Sequence, residues 1–422
     1  MLKSKNGFTL LEMVITMAIF SIVILVVGTS FNTLLKYSTR FMKSEEGNIE
    51  GNVGLEVMRH DISSAGFGLP TSYGLGGAPN YLEVDGSHTL AAALNDAPQG
   101  VPRAVAGSFN TAAVSDAGYT TLAGSDYLAL KATSLGIQSA AQKWSYAGYT
   151  SIPPKRPKSW NDGNLVNGDR VIALDRSASD TTGSYNLLKD PTSGSFWTTY
   201  SDAGLPAGFS ASSPQDMVYI YGIAGSGVSS LRMPFNRADY FVATPPSGSL
   251  PAYCAPNTGI LYRGLAKHED GSLDYQPLVD CVAAMHVVLG WNMLDSSGSV
   301  VTDPNATGSG AVDTWTNLSG GNISSTGSIP PTLAQMMAPG GVVADPAQIR
   351  TKLKVVKVYI LAQDGRKDAG YTSRSYIKMY SDEEGQTPLG AAASFNLAPE
   401  MLNYRWKVYK LVIRPKNLVS NQ

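Results

Sequence analysis

Few side chains in this 422-residue chain could do chemistry, and the first of them is Glu12. It is the lone charge in an apolar run that opens at Phe8 and continues to Leu35. A carboxylate in a membrane-spanning helix costs ~2.5–3.5 kcal/mol on insertion scales, so an acid there is by default functional. Glu12 also lies only four residues into the run and could equally rest among lipid headgroups. Physics alone leaves both readings open. Cys254 and Cys281 are the only cysteines. They would pair in an oxidising compartment and stay as buried thiols in a reducing one. His60, His88, His268 and His286 show no metal-ligand spacing with one another or with a cysteine. His286 falls in a strand-like run and reads as a satisfied core histidine. Asp295, Asp303 and Asn305 offer oxygen ligands that suit calcium, without the EF-hand spacing or its closing Glu. No GxSxG, phosphate loop, dinucleotide fingerprint or CxxC is present. The chain therefore reads as a non-enzyme, with no metal and no cofactor.

The elements that would position Glu12 are legible. Residues 1–7 form a short leader with Lys3 and Lys5, ending at Gly7. Residues 8–35 are apolar, free of Pro, and long enough to span a bilayer as a helix. A secretory signal places its small-residue cleavage site after the apolar run. Here the small residue comes before it, so a cut after Gly7 would leave the helix on the mature chain. Phe41, Ile49, Val53 and Val57 carry near-helical spacing onward, and Met58 and Ile62 broaden that face. One helix is predicted over 8–65, roughly 87 Å long at 1.5 Å per residue. Gly47, Gly51 and Gly54 each weaken it by up to ~1 kcal/mol relative to Ala and read as a flexible portion. Gly66, Gly68 and Pro70 predict its end.

The run Gly7-Phe8-Thr9-Leu10-Leu11-Glu12, between a basic leader and an uninterrupted apolar helix, closely resembles the processing site of type IV prepilins and type II secretion pseudopilins. The resemblance implies cleavage between Gly7 and Phe8 by a prepilin peptidase and N-methylation of Phe8. It gives Glu12 a pairing with the N-terminal amine of a neighbouring subunit as helices pack into a filament. Two such charges in low dielectric stabilise each other only when paired, which makes the pair a register device. Residues 58–68, with Arg59, Asp61 and Ala65-Gly66-Phe67-Gly68, look like the helix-to-head junction of PilW-type minor pilins. So, in order, do TGILYR from Thr258, LVDCV from Leu278, KVVKV from Lys354 and the closing YKLVIRPKNL from Tyr409. The family usually ends Arg-Asn-Leu; here the end is Arg414-Pro415-Lys416-Asn417-Leu418.

That resemblance implies a minor pilin in the initiation of type IV pilus assembly and in the tip complex. Its partners would be other minor pilins, the major pilin and a pilus-tip adhesin. A minor pseudopilin of a type II secretion system and a membrane-tethered surface adhesin are the alternatives. It also implies a single pass of the inner membrane, with the head in the periplasm and extracellular in the assembled pilus. The charges do not settle orientation, because Lys36, Arg40 and Lys43 after the span balance Lys3 and Lys5 before it. In that compartment Cys254 and Cys281 are expected to form a disulfide, whose loop of about 27 residues contributes on the order of 3 kcal/mol.

Beyond residue 66 the chain reads as strand and loop, which makes the expected fold α+β: a pilin-like long helix on a mainly antiparallel sheet with large insertions. The roughly 350 residues available are ample for a core. Strands are predicted at 127–131, 171–174, 217–223, 240–242, 260–262, 282–291, 353–361 and 406–413. Residues 70–120 and 175–215 read as loops, and the polar run 294–330 as a mobile excursion. The head, 66–422, is expected as two subdomains near 66–250 and 251–422. A net charge of −1 with no basic stripe or recognition motif argues against nucleic acid.

Overall fold

The computed structural model describes residues 9–419, apart from 75–76, 153–154, 161–162, 178–183, 247–249, 302, 304–305, 307, 320–323, 326–343 and 380–393. For residues 32–50, 177, 324–325 and 419 it gives the backbone alone. Helix α1 runs from Leu10 to Ser64. The chain divides into two compact units, Met1–Glu50 and Gly51–Gln422.

In the first unit, Leu10–Phe31 is long and apolar enough to cross a membrane, and none of it is buried within the chain. Its hydroxyls bond back to the helix: Thr16 Oγ1 donates to the Glu12 carbonyl at 2.9 Å and Ser21 Oγ to that of Met17 at 2.8 Å. Such local bonds satisfy polar groups where no water is at hand.

In the second unit, Gly51, Gly54, Leu55, Met58, Ile62 and Ala65 form one buried stripe at helical spacing. The stripe lies on an antiparallel sheet. Gly51 and Gly54 are therefore buried against the sheet rather than a flexible portion, and Gly54 is the close-approach position. A Cβ on Gly54 would stand 2.4 Å from the Leu278 carbonyl oxygen, whereas one on Gly51 would meet Tyr409 Oη at 3.6 Å. Past Ser64 the chain turns at Gly66, whose φ of 86° suits glycine, and its N–H donates to the Lys131 carbonyl.

The longer strands are β1 (Val105–Ser108), β2 (Tyr127–Ala132), β3 (Trp144–Gly148), β4 (Arg170–Ser177), β5 (Asp216–Ala224), β6 (Asn236–Thr244), β7 (Gly259–Ala266), β8 (Leu273–Trp291), β9 (Thr314–Asn317), β10 (Leu353–Asp364) and β11 (Arg405–Ile413). The main sheet runs β1–β2–β6–β7–β8–β10–β11, every pair antiparallel. Strand β10 is buried on both faces: Val356, Val358 and Ile360 join the large core, while Tyr359 and Leu361 join a smaller one with Met379, Leu397 and Met401. That double burial explains its near-continuous apolar sequence. Strands β3, β5 and β4 make a second sheet, inserted between β2 and β6.

Strand β8 changes partners along its length. Residues up to Val282 pair with β7, residues from Val282 pair with β10, and Val288–Trp291 also carry β9. Bulges mark the changeover, and Cys281 sits there with φ of 53°. Its sulfur is bonded to that of Cys254.

Two expectations on organisation meet a different arrangement. The division near residue 250 falls between β6 and β7, which pair from Ala238↔Leu265 to Ala243↔Ile260 within one compact unit. A long hydrogen-bonded ladder cannot be a subdomain boundary. The stretch 294–330 contains β9, where Thr314 and Thr316 are buried and the Trp291 indole donates to Thr316 Oγ1 at 2.8 Å. Composition marked this segment as polar, and among its described residues Thr314 and Thr316 serve the sheet, while 302, 304–305, 307, 320–323 and 326–330 lie outside the described residues.

Candidate processing and assembly site

Gly7 and Phe8 lie outside the described residues. The site becomes visible at Thr9, which begins α1 as its N-cap. Thr9 N–H donates to Glu12 Oε2 at 2.9 Å, Thr9 Oγ1 donates to the same oxygen at 3.0 Å, and Glu12 N–H donates to Thr9 Oγ1 at 3.3 Å. This is a capping box, with each residue satisfying the other's orphan backbone donor. The Thr-x-x-Glu spacing is a sequence-level signature of it, and the sequence reading passed over it. Glu12 thus closes the first turn of the helix and presents an exposed carboxylate at its start.

The second acid of the helix is held in the opposite manner. Asp61 is buried and takes three partners from the sheet and its own neighbour. Arg263 Nε on β7 donates to Asp61 Oδ2 at 2.7 Å, Tyr240 Oη on β6 donates to the same atom at 2.7 Å, and His60 Nδ1 lies 3.5 Å from Oδ1. Arg263 is completed by the Leu135 carbonyl at 2.8 Å and Gln276 Oε1 at 3.2 Å. Burial and the Asp61 charge hold the Tyr240 phenol well above its ordinary pKa, so it stays a donor. Burial opposes the Arg263 charge, but Asp61 outweighs it and raises that pKa. Arg59 points away to Glu56 at 3.2 Å on the exposed face.

A larger polar cluster escaped the sequence reading. Lys131 contacts Glu83 at 2.7 Å and Asp96 at 2.5 Å; Arg237 contacts Glu83 at 3.0 Å and Asp239 at 2.8 Å. Arg103 closes on Asp96 at 2.7 Å. Three cations and three carboxylates balance, and they pin the segment 83–103 to β2 and β6. No spacing in the sequence announces partners more than 150 residues apart, such as Glu83 and Arg237.

Three of the four histidines, His88, His268 and His286, are buried. His286 Nδ1 lies 3.3 Å from Asp126, which also accepts the Val287 N–H at 2.8 Å and so fills the edge of β8 between β7 and β9. His88 pairs with Asp116 at 2.6 Å. Burial lowers the His268 pKa to about 4. Among the described residues no three His, Cys, Asp or Glu side chains are grouped as metal ligands. Asp295 Oδ1 is taken up by Ser297 and Ser299 of its own turn.

Residues 2–28 match a family model described as the prokaryotic N-terminal methylation motif. No curated protein and no solved structure matches the chain. The apolar helix that bears this motif is consistent with a single-pass inner-membrane anchor. A methylation motif opening such a helix, followed by a mostly antiparallel sheet, supports a type IV pilin-like protein, pilin or pseudopilin.

Proposed function

We propose that this chain is a PilW-type minor pilin that takes part in initiating a type IV pilus and in forming its tip complex. The observation that carries the reading is the methylation motif over residues 2–28, set on a helix whose first turn presents Glu12. A prepilin peptidase removes residues 1–7 and Phe8 becomes the methylated N-terminus. Glu12 then receives the N-terminal amine of a neighbouring subunit. Among the described residues only Thr9 and Glu12's own turn bond to it, so the charge is available for that partner.

Support for the PilW type comes from how the resembling segments assemble. Asp61 belongs to the first and Arg263 to the TGILYR segment, and the two form one buried ion pair. Gly54 lies against Leu278, which opens the third. The head projects into the periplasm, where the Cys254–Cys281 bridge is stable. A head of this size would crowd a repeating shaft and suits a tip, where other minor pilins, the major pilin and a tip adhesin are its partners. The motif serves a minor pseudopilin of a type II secretion system equally. Loss of pili on deletion of this chain, against loss of a secreted substrate, separates the two.

Mass spectrometry of the mature N-terminus tests the foundation. The expected result is methylated Phe8, with Gly7→Val blocking the cut. Any other N-terminus contradicts the prepilin reading.

A further inference from the structure

The second sheet has two unlike faces. One packs Val171, Ala173, Val218 and Ile220 into a small core with Phe209. The opposite face is built from three cross-strand rows, set by the register of β3 on β5 and β5 on β4. They read Trp144–Tyr221–Ile172, Tyr146–Tyr219–Leu174 and Gly148–Met217–Arg176. The β4 side of the first two rows is buried in the main core; their β3 side is open at Trp144, 36% exposed, and in the third row Met217 of β5 is 39% exposed.

The segment after β3 returns along its free edge. Lys158 N–H donates to the Tyr146 carbonyl at 2.8 Å, and the Trp160 indole donates to the Trp144 carbonyl at 2.9 Å. Lys155 reaches the Ala211 carbonyl on the small-core side, and Pro157 is buried. Lys155 and Pro157 face the small core, and the exposed Arg156 and Lys158 alternate with them toward the side that Trp160 takes. Trp160 does pack there, 5.3 Å from Trp144 and 6.0 Å from Tyr146 between ring centres. Arg156 and Lys158 are exposed and, among the described residues, have no ion-pair partner. Across the face, Arg176 lies over the Tyr185 ring at 5.5 Å. Asp175 and Asp216 have the other parity, so no described carboxylate stands in these rows. Gly148 leaves open space at the β3 end of the third row, with nothing within 4 Å of where its Cβ would be.

We propose that this face binds a carboxylated saccharide. The negative faces of Trp144, Trp160 and Tyr146 take the polarised C–H face of a sugar ring. Arg156, Lys158 and Arg176 take its carboxylates, the arginines by two parallel hydrogen bonds. A nucleic acid needs a longer row of cations to neutralise successive phosphates, and this chain carries a net charge of −1. The site is independent of the position the chain takes in a filament.

The test passes the full-length protein, in detergent, over immobilised oligogalacturonate, a neutral galactan oligomer and single-stranded DNA. Retention on oligogalacturonate should exceed that on the neutral oligomer at least tenfold. Arg156→Ser with Lys158→Ser should lower it at least tenfold, and so should Trp160→Ala, with circular dichroism unchanged. The double variant alters only exposed side chains, so it keeps the test valid if Trp160→Ala misfolds. No retention, retention indifferent to the double variant, or a tighter hold on DNA would each overturn the proposal.

Discussion

Leu10–Phe31 and Gly51–Ser64 are stretches of one helix, and each contains an acid. In the later stretch the chain supplies everything the helix needs. A stripe of small and apolar residues meets the sheet, and Asp61 finds Arg263 and Tyr240. In the earlier stretch the apolar side chains are exposed, and among the described residues the Glu12 carboxylate bonds only to Thr9. The comparison teaches where the two acids act. Asp61 completes the fold of a single chain, while the Glu12 carboxylate stays exposed, as the proposed pairing with another subunit requires.

The largest effect should come from breaking the self-contained half. Asp61→Ala leaves Arg263 buried without its counter-charge, and removing one partner of a buried pair costs about 3–5 kcal/mol. Chemical unfolding of the full chain in detergent measures it. Glu12→Ala should leave the same unfolding curve unmoved. A cost below about 1 kcal/mol for Asp61→Ala would mean that the junction is not held as described.

Next is the bridge beside the β8 changeover. Replacing Cys254 and Cys281 by Ser should cost on the order of 3 kcal/mol. Thiol labelling of the unreduced, denatured protein from the periplasm should find no reactive thiol. Two would refute the bridge and count against a head outside the cytoplasm.

The smallest effects sharpen the role of Gly51 and Gly54, where the same substitution should act with opposite signs. Gly54→Ala drives a methyl into the Leu278 carbonyl and should cost about 1–3 kcal/mol. Gly51→Ala has room and should gain up to ~1 kcal/mol from helix propensity. Equal changes at both sites would refute the close approach at Gly54.

These glycines also mark what a sequence can convey. Gly51 and Gly54 look alike in the chain, and only the distance to Leu278 separates them. The strand at 353–361 was legible almost to its ends, because burial on both faces requires an apolar run there. Strand β6 was expected at 240–242 but begins at Asn236, since Arg237 can enter the core only with Glu83 and Asp239 around it. The first turn was legible twice over: its prepilin pattern was read, and the Thr9–Glu12 capping box in the same letters was not. The aromatic and cationic face of the second sheet was hidden for another reason. Trp144, Lys158 and Tyr219 share it only through strand register, which no local pattern records.

The central claim is that Glu12 serves contacts between subunits rather than the fold of its own chain. The direct measurement is complementation of a deletion strain with Glu12→Ala, scored for membrane insertion and for filaments. Removing the charge eases insertion. The account predicts a variant found in the inner membrane at wild-type level that fails to restore piliation. Piliation restored to the wild-type level would contradict it.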